Sequence, residues 1–300
     1  MKKAGIIAFT IFLGVAIWYL FIKQYDYQVS FKVKGSQGSV YYQIVNWESW
    51  GEDPKIKNIN TVDSALYERV IQQVITKSGI LNLEWNVESI NDSITQIKVG
   101  AISEKKSVIN RLAILTGETT FTRLLNNELI DFGKEVNKFA RSFRIRIEGE
   151  SEIPELEYLY ISSKSNRLRK AAMMLPMNAD LYPKILENKV ETNGYPFVKI
   201  TEWDIINDDI KFNFGFPVRH KDSLPISSVI KYGKSPAMKA IKATFYGNYR
   251  DSDQAWFALL EYAKRRNISV EKKPLEIFYN DPKQDGNSAE WKAEVFLPIK

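Results

Sequence analysis

The chain has no cysteine among its 300 residues and a single histidine, His220. The first absence excludes disulfides, thiolate nucleophiles and cysteine-ligated zinc; it leaves the compartment open, since a cysteine-free chain folds in oxidising or reducing surroundings alike. The second excludes a multi-histidine metal site. A Ser-His-Asp triad would have to use His220, which sits in "FPVRHKDSLP" between two prolines and among charges, the setting of a solvated loop. No metal site is expected. A Gly-rich dinucleotide fingerprint is missing too. "GKS" at Gly233–Ser235 fails the phosphate-loop pattern, because Ser228 stands where the first glycine belongs. No cofactor is implied. Low-complexity tracts and long Pro/Gly/Ser linkers are also lacking, so folded structure is expected nearly throughout.

What is there is mildly basic, with a net charge of +6 and a pI of about 9.1. Lys and Arg are dispersed and interleaved with Asp and Glu. The densest basic run, Lys264–Arg266, closes a predicted helix, where cations suit the macrodipole. A nucleic-acid binder would gather its excess charge on one face, so direct nucleic-acid binding is not expected. A dispersed positive surface does suit a neighbouring layer of anionic lipid headgroups.

The N-terminus, "MKKAGIIAFTIFLGVAIWYLFIK", carries no charge from Ala4 to Ile22. Nineteen residues at about 1.5 Å each nearly cross a hydrocarbon core of roughly 30 Å. Trp18 and Tyr19 lie where amphipathic aromatics favour the interface. A cleaved signal peptide would end in small residues; this run ends "WYLFIKQYDY", so an uncleaved anchor over residues 1–25 is expected. Lys2 and Lys3 favour a cytoplasmic N-terminus, while Lys23, Lys32 and Lys34 pull the other way; the soluble part is placed outside the cytoplasm.

Residues 26–145 read as a strand ("YDYQVSFKVKG"), a short helix with Val40, Ile44 and Trp47 capped at Ser36 or Ser39, several antiparallel strands with a hairpin turning at Asn91–Ser93, and one long helix. Leu125, Leu129, Phe132, Val136, Phe139 and Phe143 form its apolar stripe. Gly133 costs this helix about 1 kcal/mol relative to Ala. The order, opening on "VSFKVKGSQGSVYYQIVNWESW", resembles the SRPBCC (START/Bet v 1-like) helix-grip fold. The resemblance implies an apolar cavity between sheet and helix; a filled core is the alternative.

Residues 146–300 contain an internal repeat. "NGYPFVKITEWDIINDDIKFNFGFPV" (Asn193–Val218) aligns with "NISVEKKPLEIFYNDPKQDGNSAEWKAEVFLPI" (Asn267–Ile299), and a strand and a helix precede each copy. A β-α-β-β unit written twice predicts a pseudo-symmetric domain with a cleft between its halves. The second copy holds the most informative residues. Glu276 lies in "PLEIFYNDP" and Glu294 in "AEWKAEVFLPI", each an acid in an apolar strand, which is costly unless paired. A hairpin turning near Asp285 would make the two approximate cross-strand partners on one face, raising one another's pKa unless a cation intervenes. Tyr246, Tyr249, Trp256, Tyr279, Trp291 and, from the first copy, Trp203 could wall a bound cation, each contributing about 0.5–2 kcal/mol. The plainer alternative is that these aromatics are core and that the acids are solvated or paired with Lys292 or Lys273.

"ATFYGNYRDSDQAWFALLEYAKRRNI", "PLEIFYNDP" and "EWKAEVFLPIK" resemble the C-terminal half of the GyrI-like (AraC effector-binding) domain. The resemblance implies an aromatic cleft with a glutamate at its base, taking small amphipathic or cationic molecules, with Glu276 the first choice. Many such domains sense drugs in bacterial regulators, and some hydrolyse strained cyclopropyl compounds. This chain has no candidate helix-turn-helix region. The fold class expected is therefore α+β: a transmembrane helix, a helix-grip domain, then a duplicated β-α-β-β domain. The leading reading is a membrane-anchored small-molecule binding protein. A hydrolase, with Glu276 as general base or electrostatic stabiliser and Tyr249 or Tyr279 as proton donor or orienting group, and a non-catalytic envelope scaffold are the alternatives.

Overall fold

A computed structural model describes residues 2–47, 56–76, 79–219 and 224–300. His220, expected in a solvated loop, lies outside them. The chain divides into two units, Met1–Lys138 and Phe139–Lys300.

In the first unit the apolar run forms α1 (Lys2–Ile17) and, continuous with it, a π-turn over Trp18–Ile22. Together they provide one helix, Lys3–Ile22, long and apolar enough to cross a membrane. β1 (Tyr27–Lys34), α2 (Gln37–Val45), β2 (Ile56–Ala65), β3 (Arg69–Thr76), β4 (Gly79–Asn91), β5 (Ile94–Ser103), α3 (Ser107–Ile114) and α4 (Thr120–Phe139) follow. The strands form an antiparallel sheet, β1-β5-β4-β3-β2. Period-two alternation sends Leu81, Leu83, Trp85 and Val87 of β4 inward, and α4 buries Leu125, Leu129, Phe132 and Val136. The predicted stripe overran by one member. α4 stops at Phe139, and Phe143 belongs to the second unit, where its ring stacks on Phe245.

The second unit contains β6 (Arg144–Ile153), β7 (Leu156–Asn166), α5 (Lys170–Glu187), β8 (Phe197–Asp204), β9 (Asp209–Pro217), β10 (Lys231–Ser235), β11 (Met238–Tyr246), α6 (Gln254–Arg266), β12 (Leu275–Phe278) and β13 (Lys292–Pro298). The two β-α-β-β copies are β7-α5-β8-β9 and β11-α6-β12-β13. They meet at the β8–β12 pair in an antiparallel sheet of order β10-β7-β9-β8-β12-β13-β11-β6.

Chain connectivity forces this sheet to curl. β6 and β7 are joined through only Pro154 and Glu155, and β10 and β11 through only Pro236 and Ala237. In each case the strands so joined stand six places apart in the sheet. A flat sheet would separate them by roughly 29 Å at about 4.8 Å per strand, whereas three Cα–Cα steps reach only about 11 Å. The inner face is the one on which Ile153 of β6 and Tyr158 of β7 share a cluster with Phe197, Ala240, Leu275 and Phe296. α5 and α6 cover the other face, against Leu159, Phe212, Phe214, Ile241, Ala243, Phe245, Val295 and Leu297, all buried.

Candidate functional site

The two glutamates do not share a face. Glu276 pairs with Val295 and Ile277 with Glu294, so the register lies one residue from the expected one. A slip of one residue moves every side chain to the opposite side. Glu276 therefore points under the helices, and Glu294 points to the inner face.

Glu276 is fully buried and already holds a cation. Lys170 Nζ, at the start of α5, lies 2.6 Å from both of its carboxylate oxygens. Trp256 Nε1 donates to Oε1 at 2.6 Å, and Ser252 Oγ lies 3.1 Å from Oε2 and accepts from Lys170 at 2.9 Å. Lys170 Nζ also sits 4.7 Å from the centre of the Trp256 ring. Burial pushes the Lys170 ammonium below its ordinary pKa, and the Glu276 charge opposes that shift. Beside this group Arg167 donates to Asp208 Oδ1 at 2.8 Å and pairs with Asp253. Burial raises the Asp208 pKa against the pull of Arg167. Arg167 and Lys170 come from the first copy, and Ser252, Asp253, Trp256 and Glu276 from the second. The cluster is a polar clasp between the repeats. The cation that the sequence calls for at Glu276 is thus supplied by the protein.

The predicted aromatics divide accordingly. Trp203 and Trp256 lie on the helix side, ring centres 5.1 Å apart. Tyr249 is buried near the end of β12, against Phe278 and Trp291; it donates to the Lys292 carbonyl at 2.8 Å and accepts from the Asn280 amide at 2.9 Å. Burial raises its pKa to about 12. Trp291 ties down the hairpin loop through the Asp285 carbonyl. Tyr246 and Tyr279 lie with Glu294. The Arg144 guanidinium stands over the Tyr246 ring at 4.3 Å, and Tyr279 Oη donates to Glu294 Oε2 at 2.9 Å.

The inner face has a floor of Tyr158, Phe197, Leu275 and Phe296, with Leu156, Tyr160, Met238 and Ile277 only partly covered above it. At one side lies an ionic group. Lys242 Nζ is 3.0 Å from Glu294 Oε1 and 3.3 Å from Glu148 Oε2, Lys292 Nζ is 2.9 Å from Glu294 Oε1, and Thr244 Oγ1 donates to Glu148. Burial alone would raise the Glu294 pKa, but hydrogen bonds from Lys292, Lys242 and Tyr279 bring it below the usual range. The Thr244 hydroxyl is the chief cause holding Glu148 down at about 2. Burial, then Glu294, raise the Tyr279 phenol. Pairing with Lys292, the plainer alternative for a strand glutamate, is realised at Glu294. Lys199, on the same face as Leu275, donates to Ser235 Oγ at 2.9 Å, and burial lowers its pKa.

Sequence reading missed Lys170, Lys242, Glu148 and Lys199. Lys242 left a faint signal, a charge flanked by Ala240, Ile241 and Ala243 in "AIKAT".

With this geometry in hand, comparison with known proteins is decisive for the second unit. Residues 152–300 match the family described as the GyrI-like small molecule binding domain. The C-terminal unit is a GyrI-like domain. Similar solved structures include the EcmrR C-terminal domain, at 17% identity over 53% of this chain and 98% of that one, with a TM-score of 0.43. SAV2435 bound to tetraphenylphosphonium is similar at 13% identity over 52% and 94%, TM-score 0.37. A hydrolase encoded by lin2189 from Listeria innocua is similar at 14% over 56% and 98%, TM-score 0.32. At such scores none of these bears on the ligand or activity of this chain. No curated protein matches it.

Proposed function

We propose that the GyrI-like unit binds a small amphipathic molecule on the inner face of its sheet, and that the N-terminal helix holds the protein at a membrane with both units outside the cytoplasm. The observation that carries the first part is the partly covered apolar surface of Leu156, Tyr160, Met238 and Ile277, beside an ionic group and opposite the helices. An apolar, concave surface with a few convergent polar groups is the common form of a small-molecule site. Glu294, rather than Glu276, is the glutamate of this reading. Its charge is shared between Lys242, with 17% of its side chain exposed, and Lys292, with 34%. A cationic ligand would therefore displace Lys292, the more exposed of the two. The helix-grip reading of the first unit, including a cavity, rests on the order of its elements and remains part of this proposal.

The hydrogen bond from Tyr279 to Glu294 favours one second reading, hydrolysis of a strained electrophile, with Tyr279 as proton donor and Glu294 as base or stabiliser. Thermal-shift screening of the full chain in detergent, against amphipathic cations, neutral molecules and anions, tests the first. A ligand at a hundred times its dissociation constant stabilises by about 2.7 kcal/mol. Ile277→Trp, which fills the inner face, should remove that stabilisation. A hit indifferent to Ile277→Trp, or a screen with no hits, would count against the site, and no hits would favour a scaffold.

A further inference from the structure

The end of the apolar helix is not a free tether. Arg111 of α3, only 4% exposed, donates through Nη1 to the Tyr19 and Leu20 carbonyls at 3.1 Å each, groups left open at a helix C-terminus. Its Nε bonds the buried Asp26 at 2.8 Å, and Tyr19 Oη returns a bond to the Arg111 carbonyl at 3.3 Å. Asp26 also accepts from the Ser103 amide at 2.9 Å and from Ser107. Tyr25 lies so close over Gly100 that a Cβ there would fall 2.4 Å from its ring. The segment leaving the span is thus fastened to α3 and β5 at several points.

That joint fixes the depth of α3. It touches the helix at Tyr19 and Leu20, within three residues of Ile22, where the apolar span closes. α3 and the residue after it expose Ile109 (65%), Leu112 (48%) and Leu115 (66%), while Arg111 faces the body of the unit. Ile109 and Leu112 are three apart and so neighbours on the helix surface. Lys105 and Lys106, both exposed, precede the helix.

We infer that α3 lies in the bilayer interface beside the span, with Ile109, Leu112 and Leu115 set into the lipid surface. Apolar residues on one face with basic residues alongside are the form of an interfacial helix. Continuity with the span selects lipid as the occupant. The consequence is that the first unit rides on the membrane in a fixed orientation. This inference rests on the membrane reading of α1.

The absence of cysteine allows a direct test. Single-cysteine chains Ile109→Cys, Leu112→Cys, Phe9→Cys and Val62→Cys, each carrying an environment-sensitive fluorophore, are reconstituted full-length in phosphatidylcholine–phosphatidylglycerol vesicles. Phe9 reports the span; Val62, 52% exposed on the sheet edge away from β1, reports solvent. At positions 109 and 112 a spin label placed shallowly in the lipid should quench strongly, and aqueous iodide several-fold less than at position 62. If those two positions are quenched by iodide as fully as position 62 while position 9 stays lipid-quenched, α3 is not interfacial and the inference fails alone. Iodide quenching at position 9 would overturn the membrane reading, and this inference with it.

Discussion

Glu276→Gln separates a structural carboxylate from a ligand-binding one. Gln keeps the shape but removes the charge, leaving the Lys170 ammonium, with none of its side chain exposed, without the carboxylate it is bonded to. Losing one partner of a buried pair costs about 3–5 kcal/mol. The lysine can escape only by giving up its proton. Holding a group of ordinary pKa 10.5 neutral at pH 7 costs at most about 4.8 kcal/mol, at about 1.36 kcal/mol per unit. Both routes predict a similar loss, and the second adds a signature. A lysine that is neutral when folded and charged when unfolded makes the unfolded state bind more protons. The variant should therefore regain stability as pH rises from 7 towards 10, by up to about 1.4 kcal/mol per unit, and the wild type should not. Because two units unfold, one melting midpoint is not a defined quantity. The assay is hydrogen exchange of peptides from α6 and β12, expressed relative to intrinsic rates. A loss of 3 kcal/mol lowers protection about a hundredfold. Adding Lys170→Met should restore most of it. A loss below about tenfold, flat with pH, would refute the clasp.

Gly133→Ala should stabilise α4 by up to about 1 kcal/mol, because the new Cβ would meet Phe31 at 3.5 Å, an ordinary contact; exchange of α4 amides checks it. Acid should weaken the second unit: Glu148, at about 2 against an ordinary 4.5, contributes stability above pH 4.5 that is lost as pH falls towards 2. Thr244→Val should shrink that loss, read as hydrogen exchange of β6 and β11 peptides relative to intrinsic rates across the range. Lys292→Gln should tighten any bound cation by several-fold, since it removes the partner a cation must displace, and titration calorimetry would show it.

Period and repeat made most of the fold legible. The hairpin at Asn91–Ser93 and both β-α-β-β copies could be read from strand alternation and turn residues. The faces of Glu276 and Glu294 could not. The observed pairing centres the β12–β13 hairpin half a residue beyond Asp285, and that half step is enough to exchange sides. Its loop, with a 3-10 turn over Ser288–Glu290, is too irregular for a local pattern to fix the register. Lys170 was hidden for another reason: it lies 106 residues from Glu276, in the other repeat. No spacing rule within one element reaches across a pseudo-symmetric interface. The curl of the sheet was equally remote, since it follows from two short links joining strands far apart in the sheet order.

The most direct test of the proposed binding site is to map where a ligand touches. A photoreactive analogue of a stabilising hit, cross-linked to the full chain and located by peptide mass spectrometry, should label inner-face residues such as Tyr160, Met238, Ile277 and Tyr279. Labelling confined to α5, α6 or the first unit would contradict the account.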